Sequence, residues 1–178
     1  KIRLVLVVLL SFTVFYAYTK GQVRLKDEYV RIRVDRNFNV HVEIEFIFEN
    51  TKGYSALLAF PGSDWFSYNN FSAIWNGSIL KTAYKQAPEG QYYEINKDRY
   101  SSIITFQVPD TASPVSKHVI RYSYSAPYVK FDKDYESEGY YIEYILRTGA
   151  LWKGTVSNLN VRIETDTGMS CRKIKYLN

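Results

Sequence analysis

The chain has 178 residues, 46% of them hydrophobic and 17% aromatic, with 23 Lys+Arg against 18 Asp+Glu. That length suits one domain with a substantial core, and the apolar content excludes a disordered chain. A single cysteine, Cys171, excludes an intramolecular disulfide and any multi-thiolate metal site.

The opening stretch KIRLVLVVLLSFTVFYAYTKG sets Lys1 and Arg3 before an uncharged, mostly apolar run from Leu4 to Tyr18, then Lys20. Its apolar centre is shorter than the roughly 20 residues of a membrane-spanning helix and matches a secretory h-region. Residues 1–20 are therefore read as an export signal or an uncleaved N-terminal membrane anchor. Residues 21–178 are then one domain outside the cytoplasm: periplasmic, secreted or anchored. The first twenty residues hold three of the 23 basic residues and no acidic one, which leaves 20 against 18, a net of +2. A nucleic-acid partner loses its electrostatic basis at that balance.

From Tyr29 the chain alternates strictly, as half-buried strands do. Val30, Ile32 and Val34 take one phase and Arg31 and Arg33 the other. After a turn at DRNFN, VHVEIEFIFEN sends Val40, Val42, Ile44, Phe46 and Phe48 inward and His41, Glu43, Glu45 and Glu49 outward. YSALLAF follows and stops at Pro61-Gly62. FSAIW and SILKTAYK flank Asn76-Gly77, a dipeptide suited to a type I′ hairpin turn because both central residues need positive φ. Further strands are expected over residues 91–95, 101–108, 117–125, 140–146, 159–164 and 172–177. About ten short strands with regular turn signals and no sustained helical period predict an all-β, antiparallel two-sheet sandwich, immunoglobulin-like or jelly-roll-like. The 17 tyrosines agree with strands and partly wet surfaces.

Signatures of catalysis are missing: the sequence holds no G-x-S-x-G elbow, no H-E-x-x-H, no phosphate-binding glycine loop and no dinucleotide fingerprint. The two histidines, His41 and His118, both fall on the polar phase of a strand. FDKDYESEGYY places Asp132, Asp134, Glu136 and Glu138 at alternate positions, so an extended chain would point four carboxylates one way. A hard cation such as calcium would relieve their repulsion, but the spacing is not that of an EF-hand, and Lys130 and Lys133 supply counter-charge without a metal. The stretch is read first as a solvated loop and second as a calcium site. PGSDWFSYNNF gathers Trp65, Phe66, Tyr68 and Phe71; such aromatics either stack on a ligand or fold back to close the core. Asn70 and Asn76 each begin an N-x-[ST] sequon, and Asn76 also has a turn to make.

The run YIEYILRTGALWKG, residues 141–154, joins a tyrosine-rich strand to a Thr-Gly corner and a tryptophan that can pack on the core. It resembles a signature of the bacterial exported family grouped as domain of unknown function 4424, with a T-G-A-x-W-x-G corner. EIEFIFENTKGYSALLAFPGSD and FSAIWNGSIL are similar to two further stretches of that family. Leu151 and Lys153 flank Trp152 without the following proline, and the lysine-rich C-terminus has no counterpart. The resemblance implies an exported β-sandwich and no catalytic residue.

The first expectation is a non-enzymatic module that binds or scaffolds a protein or glycan of the cell envelope, using Trp65, Phe66, Tyr68 and Phe71. The alternatives are a carboxylate-dependent glycoside hydrolase using Asp64 or the acidic loop, and a self-assembling envelope subunit pairing through strand edges.

Overall fold

A computed structural model describes residues 4–8, 23–62, 67–95, 98–126, 128–130, 138–143, 157–166 and 171–176, and all regular structure among them is strand. The largest sheet has six strands in the order β14 (Asn158–Thr165), β2 (Arg24–Val34), β3 (Asn39–Glu49), β11 (Val115–Ser125), β5 (Asn69–Trp75) and β6 (Ser78–Ile79). A second sheet has β10 (Ser102–Val108) between β4 (Ala56–Pro61) and β7 (Thr82–Gln86). Their inner faces meet in one apolar cluster, to which the large sheet gives Ile32, Val42, Ile44, Phe48 and Ile120, and the small one Leu58, Phe60, Ile104, Phe106 and Val108. The rings of Phe60 and Tyr122 lie 5.5 Å apart, and those of Phe106 and His118 5.3 Å. These contacts across the two sheets give the layered arrangement of a β-sandwich.

The inner and outer phases of β2 and β3 follow the sequence, with one device added. A bulge between Leu25 and Asp27 leaves Lys26 out of the ladder register with β3, so Leu25 and Glu28 both face inward. The Asn76-Gly77 turn has φ of 47° and 85°, the left-handed pair that a type I′ hairpin requires. Asn76 Oδ1 accepts the Lys117 N–H at 2.8 Å, and its Nδ2 donates to Ser116 Oγ at 3.2 Å.

Three expectations are corrected. SILKTAYK is two strands, because the chain crosses from the edge of the six-stranded sheet (β6) to the edge of the three-stranded one (β7), with Leu80 buried at the crossing. The pairing is not purely antiparallel: β14 lies parallel to β2. His118 faces the core, fully buried among Phe46, Trp75 and Phe106. The inner phase of β11 is Ser116, His118, Ile120, Tyr122 and Tyr124, and its polar members disguise it in the sequence.

Two smaller units complete the description. The hairpin of β8 (Tyr93–Ile95) and β9 (Asp98–Tyr100) packs Tyr93 and Tyr100 on Ile103, the outer side of the three-stranded sheet. A four-stranded sheet has the order β12 (Tyr128–Lys130), β13 (Glu138–Glu143), β1 (Leu4–Val8) and β15 (Cys171–Tyr176). Its β1 lies within the segment read as an export signal and pairs in parallel with β13 and β15. A short continuous apolar run such as LVLVV also suits a strand buried on both faces, and periodicity alone does not separate the two roles.

Candidate functional site

Alternate rungs of the six-stranded sheet send one side chain per strand to the outer face. Across β14, β2, β3, β11 and β5, one rung reads Arg162, Arg31, Glu43, Arg121 and Ser72. The next reads Glu164, Arg33, His41, Ser123 and Asn69. Between these rungs opens a cleft of about 370 Å³, lined by Arg31, Arg33, His41, Glu43, Ser72, Arg121 and Ser123, with Asn70 at one wall.

A second bulge builds that wall. Between Arg121 and Ser123 the pairing of β11 with β5 slips by one residue, and Asn70 takes a φ of 53°. An asparagine tolerates that left-handed conformation better than most residues. Its Nδ2 donates to Ser123 Oγ at 3.3 Å, and the hydroxyl of Ser123, a residue only 8% exposed, donates to the Asn69 carbonyl at 3.3 Å. The same bulge aims Phe71 at the core, 5.3 Å from the Phe60 ring. Both sequon asparagines thus already use their side-chain amides.

Ion pairs set the cleft's electrostatics. Arg31 donates through Nε and Nη2 to Glu164 Oε2 at 3.1 and 2.9 Å. That hydrogen bond holds the Glu164 carboxyl below its ordinary value and raises the Arg31 guanidinium further above neutrality. Arg162 Nε sits 2.7 Å from the other Glu164 oxygen, an ion pair without hydrogen-bond alignment. Arg33 makes one long contact, 3.4 Å from Nη2 to Asp166 Oδ1. Arg121 Nε pairs with Glu43 across neighbouring strands. His41 Nε2 lies 3.5 Å from Asp35 Oδ2. Burial pushes the Asp35 carboxyl up, but hydrogen bonds from Asn39, Asn37 and His41 outweigh it and leave the group below its usual range.

The residues singled out by sequence are scattered. Tyr68 and Phe71 are half-buried against the core, 4.6 and 6.4 Å ring to ring from Tyr122. Asp64, Trp65 and Phe66 lie outside the described residues, as do Asp132, Asp134 and Glu136; Glu138 opens β13. Among the described residues no group of three or more His, Cys, Asp or Glu could hold a metal ion. The corner after Glu143 also lies outside them.

A second cluster faces the core. One inner rung reads Glu28, Phe46, His118 and Trp75 across β2, β3, β11 and β5. Glu28 is 5% exposed, and burial raises its carboxyl to about 7. Burial likewise lowers the His118 imidazole to about 3. Both side chains are therefore uncharged over mildly acidic pH.

No protein-family model and no curated protein matches the chain. Among solved structures, a provisionally named nutrient-binding protein from Legionella pneumophila superposes with a TM-score of 0.51 at 18% identity, over 79% of this chain and 49% of that one. The chain thus spans about half the length of the Legionella protein. The M1 zinc metallopeptidase of Deinococcus radiodurans overlaps 62% of this chain and 22% of its own, with a TM-score of 0.35 at 11% identity. At 18% identity the likeness to the Legionella protein is one of fold.

Proposed function

We propose that this chain is a non-enzymatic binding module of the cell envelope, exported by its N-terminal segment or anchored through it. In this reading it is a sandwich of the immunoglobulin-like or jelly-roll-like kind, related to the domain of unknown function 4424 family, with its recognition surface on the outer face of the six-stranded sheet. One observation carries the proposal: four adjacent strands bring charged and hydrogen-bonding side chains together around a cleft of small-molecule size. The half-burial of Tyr68 and Phe71 supports a recognition surface on the sheet face over one built on these two rings. Glu43 is the single carboxylate among the described residues lining the cleft, so it does not supply the acid pair that glycoside hydrolysis needs.

Amide and side-chain NMR of the full chain, titrated with envelope glycans and small metabolites, tests the reading. Saturable shifts at Arg33, Glu43, Arg121 and Ser123 are expected for at least one compound. Binding that leaves those signals fixed while moving Tyr68 and Phe71 would return recognition to the aromatic loop.

A further inference from the structure

We infer that the cleft takes a small ligand by its oxyanion, a carboxylate or a phosphate, clasped between Arg33 and Arg121. This deepens the proposed function and rests on the cleft being the recognition surface. Of the three arginines lining the cleft, Arg31 is committed through two nitrogens to Glu164. Arg33 has only its long contact to Asp166, and Arg121 uses Nε alone on Glu43. Both keep terminal N–H groups with no further hydrogen bond among the described residues. The two residues stand two strands and one rung apart, roughly 12 Å between Cα atoms from ordinary sheet spacings. Arg121 is already drawn towards β3 by Glu43; Arg33, on giving up its long contact to Asp166, would swing back over His41, and the two would then close that gap around a group the size of a carboxylate.

Charge and shape narrow the class. Three guanidinium groups line the cleft against the carboxylate of Glu43. Glu164 and Asp166 offset the excess on the β14 side and leave it nearer β11 and β5. A guanidinium recognises carboxylate or phosphate through paired N–H groups, so a polar contact becomes an oriented one. The hydroxyl of Ser72 and the amide of Asn70 flank the same space and suit hydroxyl groups on the rest of the ligand. A neutral sugar has less to hold it: no Trp, Tyr or Phe on an outward phase lines the cleft among the described residues, and Tyr122, which borders it from the inner phase, stacks its ring on Phe71 in the core. About 370 Å³ is at the lower end for a small-molecule site, which favours a compact metabolite over a polymer.

The test is NMR titration of the full chain at constant ionic strength with succinate, glucuronate, inorganic phosphate and glucose. The expected result is saturable shifts at Arg33, Arg121 and Ser123 with at least one oxyanion. Response to succinate or glucuronate names a carboxylate source, and response to phosphate alone a phosphate source. Removing one charge-assisted contact weakens binding roughly ten- to hundredfold, so Arg33→Gln and Arg121→Gln should each do so while Lys85→Gln does not. Arg33→Lys and Arg121→Lys, which keep charge but lose the fork, should fall between, and unchanged circular dichroism confirms that each variant is folded. Binding retained in the folded R33Q/R121Q double variant would overturn the inference. Glucose shifting the cleft as strongly as glucuronate would overturn the oxyanion assignment and leave the cleft standing. Cleft signals unmoved by all four probes, while another compound moves them, would do the same. Cleft signals fixed under every compound would remove both readings.

Discussion

Replacing His118 with phenylalanine should tilt a stability plateau that two buried groups hold level. Free imidazole titrates at 6.5 and the buried His118 at about 3. Between those values the unfolded chain binds a proton that the folded chain does not, so His118 makes stability rise with pH and fall on acidification. Glu28 has the opposite sign: its folded carboxyl titrates at about 7 against an ordinary 4.5, so its contribution is complete below 4.5 and is lost as pH rises towards 7. From pH 4.5 to 6.5 both mismatches are complete and cancel. Each alone is worth about 1.4 kcal/mol per pH unit, so removing one exposes a slope amounting to roughly 3 kcal/mol over that window. The H118F variant should lose that much stability from pH 4.5 to 6.5 relative to the parent, and Glu28→Gln should gain as much. Urea unfolding followed by tryptophan fluorescence at half-unit pH steps, with variant-minus-parent differences taken, isolates these groups from the surface carboxylates. Parallel pH profiles for H118F and the parent would refute the reasoning, because His118 would then carry the same proton in both states.

Other predictions concern local geometry. A Cβ on Gly62 would lie 1.8 Å from Ser102 Oγ and 2.9 Å from its carbonyl oxygen, so Gly62→Ala should cost about 1–3 kcal/mol in chemical unfolding. Ser102→Ala should restore only part, because the carbonyl stays. Asn76→Ala should lower the thermal midpoint more than Asn76→Gly, since glycine loses the two hydrogen bonds yet keeps the left-handed turn. The Lys117–Glu45 pair, 2.5 Å apart but with half-exposed Lys117, should show a coupling under about 1 kcal/mol in a double-mutant cycle. Calcium at millimolar concentration should leave the melting temperature unchanged; a rise abolished by Asp132→Asn and Asp134→Asn would restore the cation site.

Much of the sandwich was legible because it rests on period two and turn chemistry. β3 alternates without exception, and Asn-Gly specifies its turn by the φ values it permits. The division of SILKTAYK was not legible: alternation says which way a side chain points, and nothing in it says which sheet its strand joins. His118 misled for a related reason, since an imidazole walled by aromatic rings can stay neutral in an inner phase that reads as polar. The cleft was half visible. Arg31, Arg33, His41 and Glu43 stood on outward phases, while Arg121 was hidden by the same misread phase that put His118 outside; their meeting depends on lateral register between strands up to 90 residues apart, and the bulge that places Asn70 carries no sequence mark.

The parallel lamination of β14 onto β2 bears on how this protein is made. Asn158 Nδ2 reaches Asp27 Oδ1 at 2.6 Å, and Arg31 and Arg33 reach Glu164 and Asp166, each contact joining residues more than 130 positions apart. During synthesis, β2 emerges more than 120 residues ahead of β14, and its outer edge waits that long for a permanent neighbour. A chain truncated ahead of residue 158 would carry that bare, valine- and isoleucine-rich edge indefinitely, and strand-to-strand association between nascent molecules becomes its foreseeable fate.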